Sequence, residues 1–347
     1  MREPPKLADT TIAETVRAHY GISIVAITFL PIGNDSDTYV YRVETTDGAA
    51  YFLKIRNRQG FSPASLVVPR YLCDTGVPHI PAPLMTTSQR PWVMVNDFAL
   101  TLYPFIDGRI GGDVGMSEQQ WIELGRTVKQ IHMSQLPPDI KKVVPHETFV
   151  PPKRSVVTKL EKAIDGEAPA DPAQREFAAF WKSRRDVIDR VVNRADTLGR
   201  QLREAAPPMV LCHADLHTRN VLLEGNKQFW VIDWDETVLA PKERDLMFFV
   251  GGIMRELLQP HHTEYFFRGY GDTAIDPDAL IYYRNAWAVQ DIAADGDQVF
   301  FRPDLSDASR QDAVRMFKLL FEPGNIVAIA SAKDLVHRLG DDHGGER

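Results

Sequence analysis

The chain has 347 residues, of which 44% are hydrophobic and 25% charged, the values of a globular protein long enough for one large or two modest domains. Its 40 Lys and Arg against 47 Asp and Glu give a net charge of −7, which argues against nucleic acid as the main partner and favours a cationic small molecule. No apolar run reaches membrane-spanning length, no signal-peptide core is visible and there are only 2 cysteines, so we expect a cytoplasmic protein without a membrane partner, with a monomer as the default state.

The first hundred residues have the pattern of a small β-rich lobe. A helix is expected at residues 12–20, and three strand-like runs of apolar residues follow at 24–31, 39–44 and 51–55. The last two runs are joined by residues 45–48, TTDG, which is a hairpin-turn signal. The pattern therefore predicts an antiparallel sheet.

A lysine in the third run is a candidate nucleotide contact. Lys54 lies between Leu53 and Ile55. Because the side chains of a strand alternate between its faces, Lys54 points away from both apolar neighbours. A lysine so placed can pair with nucleotide phosphates, although taken alone it would be a solvated strand residue. The motif further along the chain favours the nucleotide role.

Two loops of this region are further candidates. Residues 31–38 join the first two strands where a phosphate-covering loop would lie, and there Gly33 allows a tight turn while Ser36 could donate to a phosphate. An ordinary polar hairpin fits these residues equally well. Later, an apolar strand gives way to a segment with Pro and Gly whose backbone could hydrogen-bond an adenine edge, so Tyr103 and Phe105 are candidate nucleotide contacts.

The remainder of the chain is mainly helical in pattern. Ser117 is a candidate N-cap with Gln120 at the capping-box position, and an apolar stripe at helical spacing follows. Residues 141–172 are rich in proline and charge and are expected to form a loop. Long helices are expected at residues 173–204 and 278–300.

The most informative segment is LCHADLHTRN at residues 211–220, followed by VIDWD at 231–235. Its spacing matches the kinase catalytic-loop pattern H-x-D-x-x-x-x-N with a later aspartate. Asp215 can orient a hydroxyl group and accept its proton, while Asn220 and Asp233 can hold Mg²⁺ on the phosphates of a nucleotide. The sequence therefore predicts phosphoryl transfer from a magnesium nucleotide.

The strands around this segment support the prediction. Residues 221–223 and 229–232 are two short apolar runs that we expect to form a hairpin, which would bring Asp233 back toward Asn220. His213 could act as a base, but we expect it to brace the loop.

These motifs resemble the aminoglycoside phosphotransferase family, antibiotic-modifying enzymes with a protein-kinase-like fold. The resemblance rests on the segment IDWDETVLAPKERDLMF at 232–248 and on the shorter segments FLKI at 52–55, YPFI at 103–106 and FFRGYG at 266–271. The resemblance spans about residues 10–330, and the longest of these segments points to the spectinomycin branch of the family.

The resemblance implies an α+β fold of protein-kinase-like type with two lobes. An N-terminal antiparallel sheet lobe would cover residues 1–102, a larger and mainly helical C-terminal lobe residues 103–340, and a frayed tail residues 341–347. ATP would lie in the cleft. By the same likeness the catalytic base would be Asp215, the Mg²⁺ ligands Asn220 and Asp233, and the phosphate contact Lys54.

One feature departs from the pattern of kinase-like folds. Such folds usually pair the strand lysine with a glutamate on the next helix. Between Ile55 and Cys73 this chain has no Asp or Glu, and Asp74 is the first acid that follows. Either another group positions Lys54, or nucleotide binding is weakened.

The acceptor site is expected on a late helix. Trp287, Asp291 and Asp295 follow one another at i+4 steps, so an aromatic ring and two carboxylates share one face that would suit a rigid ring carrying ammonium groups. Asp235 and Glu236, just beyond Asp233, could face the acceptor as well. The alternative is that the aromatic residue belongs to the core and that the acids are solvated.

Three functions remain open at this point. The leading one is transfer of the γ-phosphoryl group of ATP to a hydroxyl of an aminocyclitol or aminoglycoside antibiotic such as spectinomycin. The second is a metabolic small-molecule kinase acting on choline, homoserine, methylthioribose or an amino sugar. The third is a nucleotide-binding regulator with little turnover, for which the missing helix glutamate leaves room.

Overall fold

The computed structural model describes residues 4–32, 37–167, 169–225, 228–250 and 258–332. The strands are β1 Ile24–Leu30, β2 Thr38–Thr45, β3 Ala50–Asn57, β4 Val93–Val95, β5 Phe98–Pro104, β6 Arg109–Ile110, β7 Val210–Cys212, β8 Val221–Glu224, β9 Gln228–Val231 and β10 Val238–Ala240. The helices are α1 Asp9–Tyr20, α2 Ala64–Asp74, α3 Gly111–Val114, α4 Glu118–Met133, α5 Pro138–Lys141, α6 Arg154–Asp165, α7 Pro172–Ala205, α8 Glu243–Leu246, α9 Pro260–Tyr270, α10 Pro277–Phe300, α11 Asp307–Leu319 and α12 Ile326–Ser331.

The chain forms two compact units. The first consists of residues up to 145 together with 213–238, and the second of residues 146–212 together with those from 239 onward. This grouping differs from the division at residues 102 and 103 expected from the sequence, because β6 pairs with β8 and so joins the segment that carries the catalytic motif to the first unit. The expected tail, residues 341–347, lies outside the described part of the chain.

A five-stranded antiparallel sheet with the strand order β1-β2-β3-β5-β4 dominates the first unit. One face of the sheet is apolar and packs with α1 in a core that includes Val16, Tyr41, Leu53, Ile55 and Leu102. On the strands, the buried residues of this core alternate with others, as Leu53 and Ile55 do on β3, which is expected for a sheet with one buried face. The predicted N-terminal antiparallel sheet is thereby confirmed.

A smaller sheet in the same unit lies between the two parts of the kinase-like motif: β8 follows residues 211–220 directly, and β9 ends just before Asp233. Its strand order is β6-β8-β9, and the hairpin β8–β9 pairs Val221 with Val231 and Glu224 with Gln228. At Gly108, just before β6, an added Cβ would lie 2.7 Å from the Leu222 side chain and 2.9 Å from the Leu223 carbonyl. The close approach of this backbone to β8 therefore requires glycine at position 108.

The second unit is mainly helical. The long helix α10 packs against α6, α7, α11 and α12, and β7 and β10 form a separate two-stranded sheet. At Gly199 on α7 an added Cβ would overlap the backbone carbonyl of Phe149, whose oxygen accepts a hydrogen bond from Arg203 (Nη2–O 3.2 Å). The glycine thus lets the helix lie directly on this carbonyl.

Most of the expected elements occur with shifts of a few residues at their ends. The long helices expected at 173–204 and 278–300 are α7 and α10, and Ser117 caps α4 with the reciprocal Gln120 capping box. The prediction of a loop at residues 141–172 was wrong in part, because this range contains α6. That helix buries only Val157, Leu160 and Ile164, spaced three and four residues apart, and the surrounding proline and charge obscure this pattern. Within the described residues, no helix is both long and apolar enough to cross a membrane.

Gly199→Ala should destabilise the second unit. Alanine favours a helix by about 1 kcal/mol over glycine, but overpacking against a fixed backbone carbonyl commonly costs about 1–3 kcal/mol. Because a backbone carbonyl cannot move aside as a side chain can, we take the upper end of that cost, about 3 kcal/mol, and expect a net decrease of about 2 kcal/mol in the free energy of unfolding, measured by chemical denaturation. Arg200→Ala, at the next and exposed position, is the control and should change stability by less than about 0.5 kcal/mol. A Gly199 variant as stable as the wild type would contradict the proposed overlap.

Candidate active site

The site begins with two cationic residues on one face of β3. Leu53 and Ile55 point into the apolar core, so Lys54 and Arg56 lie on the opposite face of the strand. The register pairs Lys54 with Val40 on β2 and with Thr101 on β5, which places it in the middle of the sheet. The position of Lys54 is therefore set by strands on both sides.

The catalytic loop is held by hydrogen bonds within itself. The Asn220 side-chain amide donates to the backbone carbonyl of Asp215 (2.7 Å) and to Asp215 Oδ2 (2.9 Å). These two bonds turn the amide nitrogen toward Asp215 and leave the amide oxygen of Asn220 for another partner. The loop thus presents a carboxylate and an amide oxygen together, as the motif predicts.

The geometry of His213 assigns it a bracing role. Its Nδ1 accepts from the backbone N–H of Asp215 (3.3 Å), and its Nε2–H donates to the carbonyl of Ile232 (2.9 Å). Both ring nitrogens are engaged with backbone groups, and the ring is fully buried against Trp234 with 4.7 Å between the centroids. This arrangement ties the catalytic loop to the segment that follows β9, in agreement with the expected structural role.

The hairpin β8–β9 returns the chain to this loop. Beyond β9 the backbone N–H of Ile232 donates to the carbonyl of Asn220 (2.9 Å). The next residue, Asp233, has a left-handed backbone (φ 64°), which aspartate tolerates better than most residues. After it, Trp234 is buried and its indole N–H donates to the carbonyl of Val231 (3.0 Å). The backbone between Asp233 and Asp235 is thereby anchored.

Four charged side chains meet where this segment faces β3. Lys54 Nζ lies 3.0 Å from Asp233 Oδ1 and 2.7 Å from Asp235 Oδ2. Arg56 Nη1 lies 2.7 Å from Asp235 Oδ1. The side chains of Lys54, Arg56 and Asp235 are 15–17% exposed, whereas that of Asp233 is 48% exposed. Of the two acids, Asp233 is thus the one that a ligand can reach.

Burial and the neighbouring opposite charges act in opposite directions on the groups of this cluster. Burial alone would lower the pKa of Lys54, but the carboxylates of Asp235 and Asp233 outweigh it and hold the pKa above its ordinary value. Against the opposing effect of burial, the charge of Lys54 lowers the pKa of Asp233. Lys54 therefore stays protonated and Asp233 ionised at neutral pH. The nearby His217, with its Nε2 3.5 Å from Asp215 Oδ1, has its pKa lowered by burial.

Of the other residues predicted to contact the nucleotide, the structure describes two, Tyr103 and Phe105. Tyr103 lies on β5 paired with Phe52; burial raises the pKa of its hydroxyl, and the nearby charge of Lys54 opposes that rise. The ring of Phe105 lies under the guanidinium of Arg42 at 4.7 Å. Gly33 and Ser36 lie outside the described residues.

The acids that contact Lys54 in this structure are Asp233 and Asp235. The sequence suggested that Asp235 could face the acceptor; in the structure its two carboxylate oxygens contact Lys54 and Arg56, and acceptor binding by Asp235 stays a prediction. Arg56 was missed by the sequence reasoning, although its spacing of two residues from Lys54 on a strand is the signal that could have indicated it. Glu236, at an exposed position, stays a prediction for acceptor binding.

The other predicted acceptor residues lie on α10 in the second unit. Trp287 is half-buried and packs edge-on against Phe248, with 4.7 Å between the ring centroids. Asp291 and Asp295 are half-buried as well, one helical turn apart. Burial and the neighbouring carboxylates of Asp291 and Asp312 raise the pKa of Asp295 to about 8. The acids on this face are therefore not simply solvated.

Comparison with known proteins agrees with this geometry. A model of the phosphotransferase enzyme family matches residues 28–282. The chain belongs to this family. It is a phosphotransferase whose acceptor is an alcohol group, with the mixed helix and sheet fold of the aminoglycoside phosphotransferases.

Individual members of the family and solved structures differ in how similar they are to this chain. A spectinomycin phosphotransferase, solved in complex with ADP and spectinomycin, is 30% identical with a TM-score of 0.84, and the alignment covers 96% of this chain and 100% of that chain. The protein StrN of Streptomyces griseus is 25% identical over 245 residues, covering 67% of this chain and 73% of StrN. A choline kinase from Streptococcus pneumoniae has a TM-score of 0.55 at 15% identity, covering 90% of this chain and 99% of that chain, and this likeness shows the fold alone.

Asp295→Asn should stabilise the protein, and increasingly so at higher pH. Because the pKa of Asp295 in the folded state is about 8 and its ordinary value is 3.8, the folded state retains a proton that the unfolded state has lost. Stability from this group therefore falls as pH rises from about 4 to about 8. Asparagine has no such charge, so the variant should exceed the wild type by on the order of 3 kcal/mol at pH 8.5 and by little at pH 4.5.

The measurement is denaturant unfolding at both pH values, with Asp297→Asn as the control for loss of a carboxylate on the same helix. A stability difference that does not change with pH would count against the raised pKa of Asp295.

Proposed function

We propose that this phosphotransferase moves the γ-phosphoryl group of ATP to a hydroxyl of an aminocyclitol or aminoglycoside antibiotic of the spectinomycin class. The observation that carries the proposal is the likeness to the spectinomycin phosphotransferase over nearly the whole of both chains. The arrangement of Asp215, Asn220, Asp233 and Lys54 is consistent with it.

The residues of the first unit suggest how the reaction proceeds. Asp215 would orient the acceptor hydroxyl and accept its proton as the new bond from oxygen to the γ-phosphorus forms. The bond from the γ-phosphorus to the bridging oxygen breaks, and ADP leaves. Lys54, kept charged by its aspartates, would contact the phosphates and offset the charge on the leaving group.

The oxygen donors of the loop fit Mg²⁺. The Asn220 amide oxygen and the half-exposed carboxylate of Asp233 are hard ligands of the kind that this cation prefers, and the cation usually takes few ligands from the protein. When bound, Mg²⁺ would neutralise charge on the nucleotide phosphates. We therefore propose ATP and Mg²⁺ as the cofactors.

The acceptor would be a cation. The net charge of −7 and the face of α10 that carries Trp287, Asp291 and Asp295 suit ammonium groups on a rigid ring. Glu236 is a further candidate for this contact. A cytoplasmic monomer without a nucleic-acid partner remains our prediction.

The first test is magnesium-dependent ATP turnover with separate acceptors. We expect phosphorylation of spectinomycin or a related aminocyclitol, detected by ADP release and by mass spectrometry of the product, and none with choline, homoserine or methylthioribose. Turnover with a metabolite alone would replace the antibiotic by a metabolic substrate. ATP binding with no turnover on any acceptor would favour a regulator.

Asp215→Asn should remove most of the activity with the acceptor so identified. A general base typically contributes about 10²- to 10⁴-fold, so we expect kcat to fall by that factor while the affinity for ATP changes little. Asp97→Asn, which makes the same change at an exposed turn of the large sheet, is the matched control. An Asp215→Asn variant with wild-type kcat would exclude Asp215 as the base.

A further inference from the structure

Helix α2 follows β3 and offers Lys54 no free acid. Its only acidic residue is Asp74, at the last position of the helix. The carboxylate of Asp74 is engaged by Arg70 through both Nε (2.8 Å) and Nη2. The helix that would usually supply a glutamate to the strand lysine therefore supplies none here.

The acid instead comes from the segment beyond β9. We propose that Asp235, held in place by Arg56, is the positioning residue that orients Lys54 toward the nucleotide phosphates. This inference rests on the proposed use of ATP, but not on the identity of the acceptor. It assigns Asp235 and Arg56 a role in nucleotide binding.

Asp235 and Asp233 make different contacts in the cluster, and we expect them to have different roles. Asp235 uses one carboxylate oxygen for Lys54 and the other for Arg56, and it is largely buried. Asp233 uses one oxygen for Lys54 and is half-exposed, so it can turn to another cation. When Asp233 does so, Asp235 still holds Lys54 and keeps its ammonium group on the same face of the sheet.

Arg56 completes the balance of charge. Two carboxylates and a single lysine would leave one negative charge in excess, which is costly at the largely buried Asp235. Arg56 projects from the same face of β3 as Lys54 and supplies the second positive charge. It also holds Asp235, so that the carboxylate does not follow Lys54 toward the phosphates.

The test compares the binding of ATP with that of adenosine, which lacks phosphates. For Asp235→Asn and Arg56→Gln we expect ATP to bind about ten- to a hundredfold more weakly, the range for the loss of a charged hydrogen bond. Adenosine affinity should change by less than about twofold, since its binding does not involve Lys54. Arg56→Lys should recover part of the ATP affinity, and all measurements are made without acceptor by isothermal titration calorimetry.

Two further sets of variants test whether the loss of ATP affinity in Asp235→Asn acts through Lys54. In a Lys54→Met background, Asp235→Asn should cause little further loss of ATP affinity, because residues that act through one contact are not additive. Arg70→Gln and Asp74→Asn break the ion pair at the end of α2 and are the matched controls, expected to bind ATP like the wild type.

Several outcomes would overturn the inference. An equal loss of ATP and adenosine affinity would indicate a merely structural role, and a full additional loss in the Lys54→Met background would separate Asp235 from Lys54. A loss seen with Mg²⁺ but not in EDTA would make Asp235 a metal ligand. If the wild-type chain bound adenosine and ATP equally well, the proposed use of ATP would itself fall.

Discussion

The ion pairs between Lys54 and the two aspartates are the constraint on which the site depends. Lys54 and Asp233 are 179 positions apart in the sequence, so their contact requires that both the large sheet and the β8–β9 hairpin be complete. Partial burial of these charges is unfavourable unless each finds its partner. The second cation, Arg56, makes the cluster balanced, and β3 supplies both cations simply because side chains two positions apart share a face.

Around this cluster the backbone does most of the positioning. Asn220 donates a hydrogen bond to the carbonyl of Asp215 within the loop, and His213 donates one to the carbonyl of Ile232 beyond β9. Trp234, between the two aspartates, donates to the carbonyl of Val231. The backbone around Asp215 and Asp233 is therefore held in place by hydrogen bonds of neighbouring side chains. The left-handed backbone of Asp233 is a local strain that these contacts maintain.

Much of this could be predicted from local patterns. Strand alternation indicated the sheet and the direction of Lys54, the Ser117 capping box indicated the start of α4, and the loop motif indicated Asp215, Asn220 and Asp233. Two features could not be predicted. Helix α6 has a narrow apolar stripe within a proline-rich stretch, and the partner of Lys54 is set by tertiary contacts with Asp235 that no sequence spacing reports.

The discontinuity of the first unit has a consequence for biosynthesis. Its last part, residues 213–238, leaves the ribosome only after residues 146–212, which belong to the other unit, have been made. Until then β6 lacks its partner β8, and the buried lysine lacks both carboxylates. A nascent chain that ends before this segment thus has all five strands of the large sheet but no charge-balanced cluster at Lys54, so on the proposed function the ability to bind ATP would be acquired late in translation.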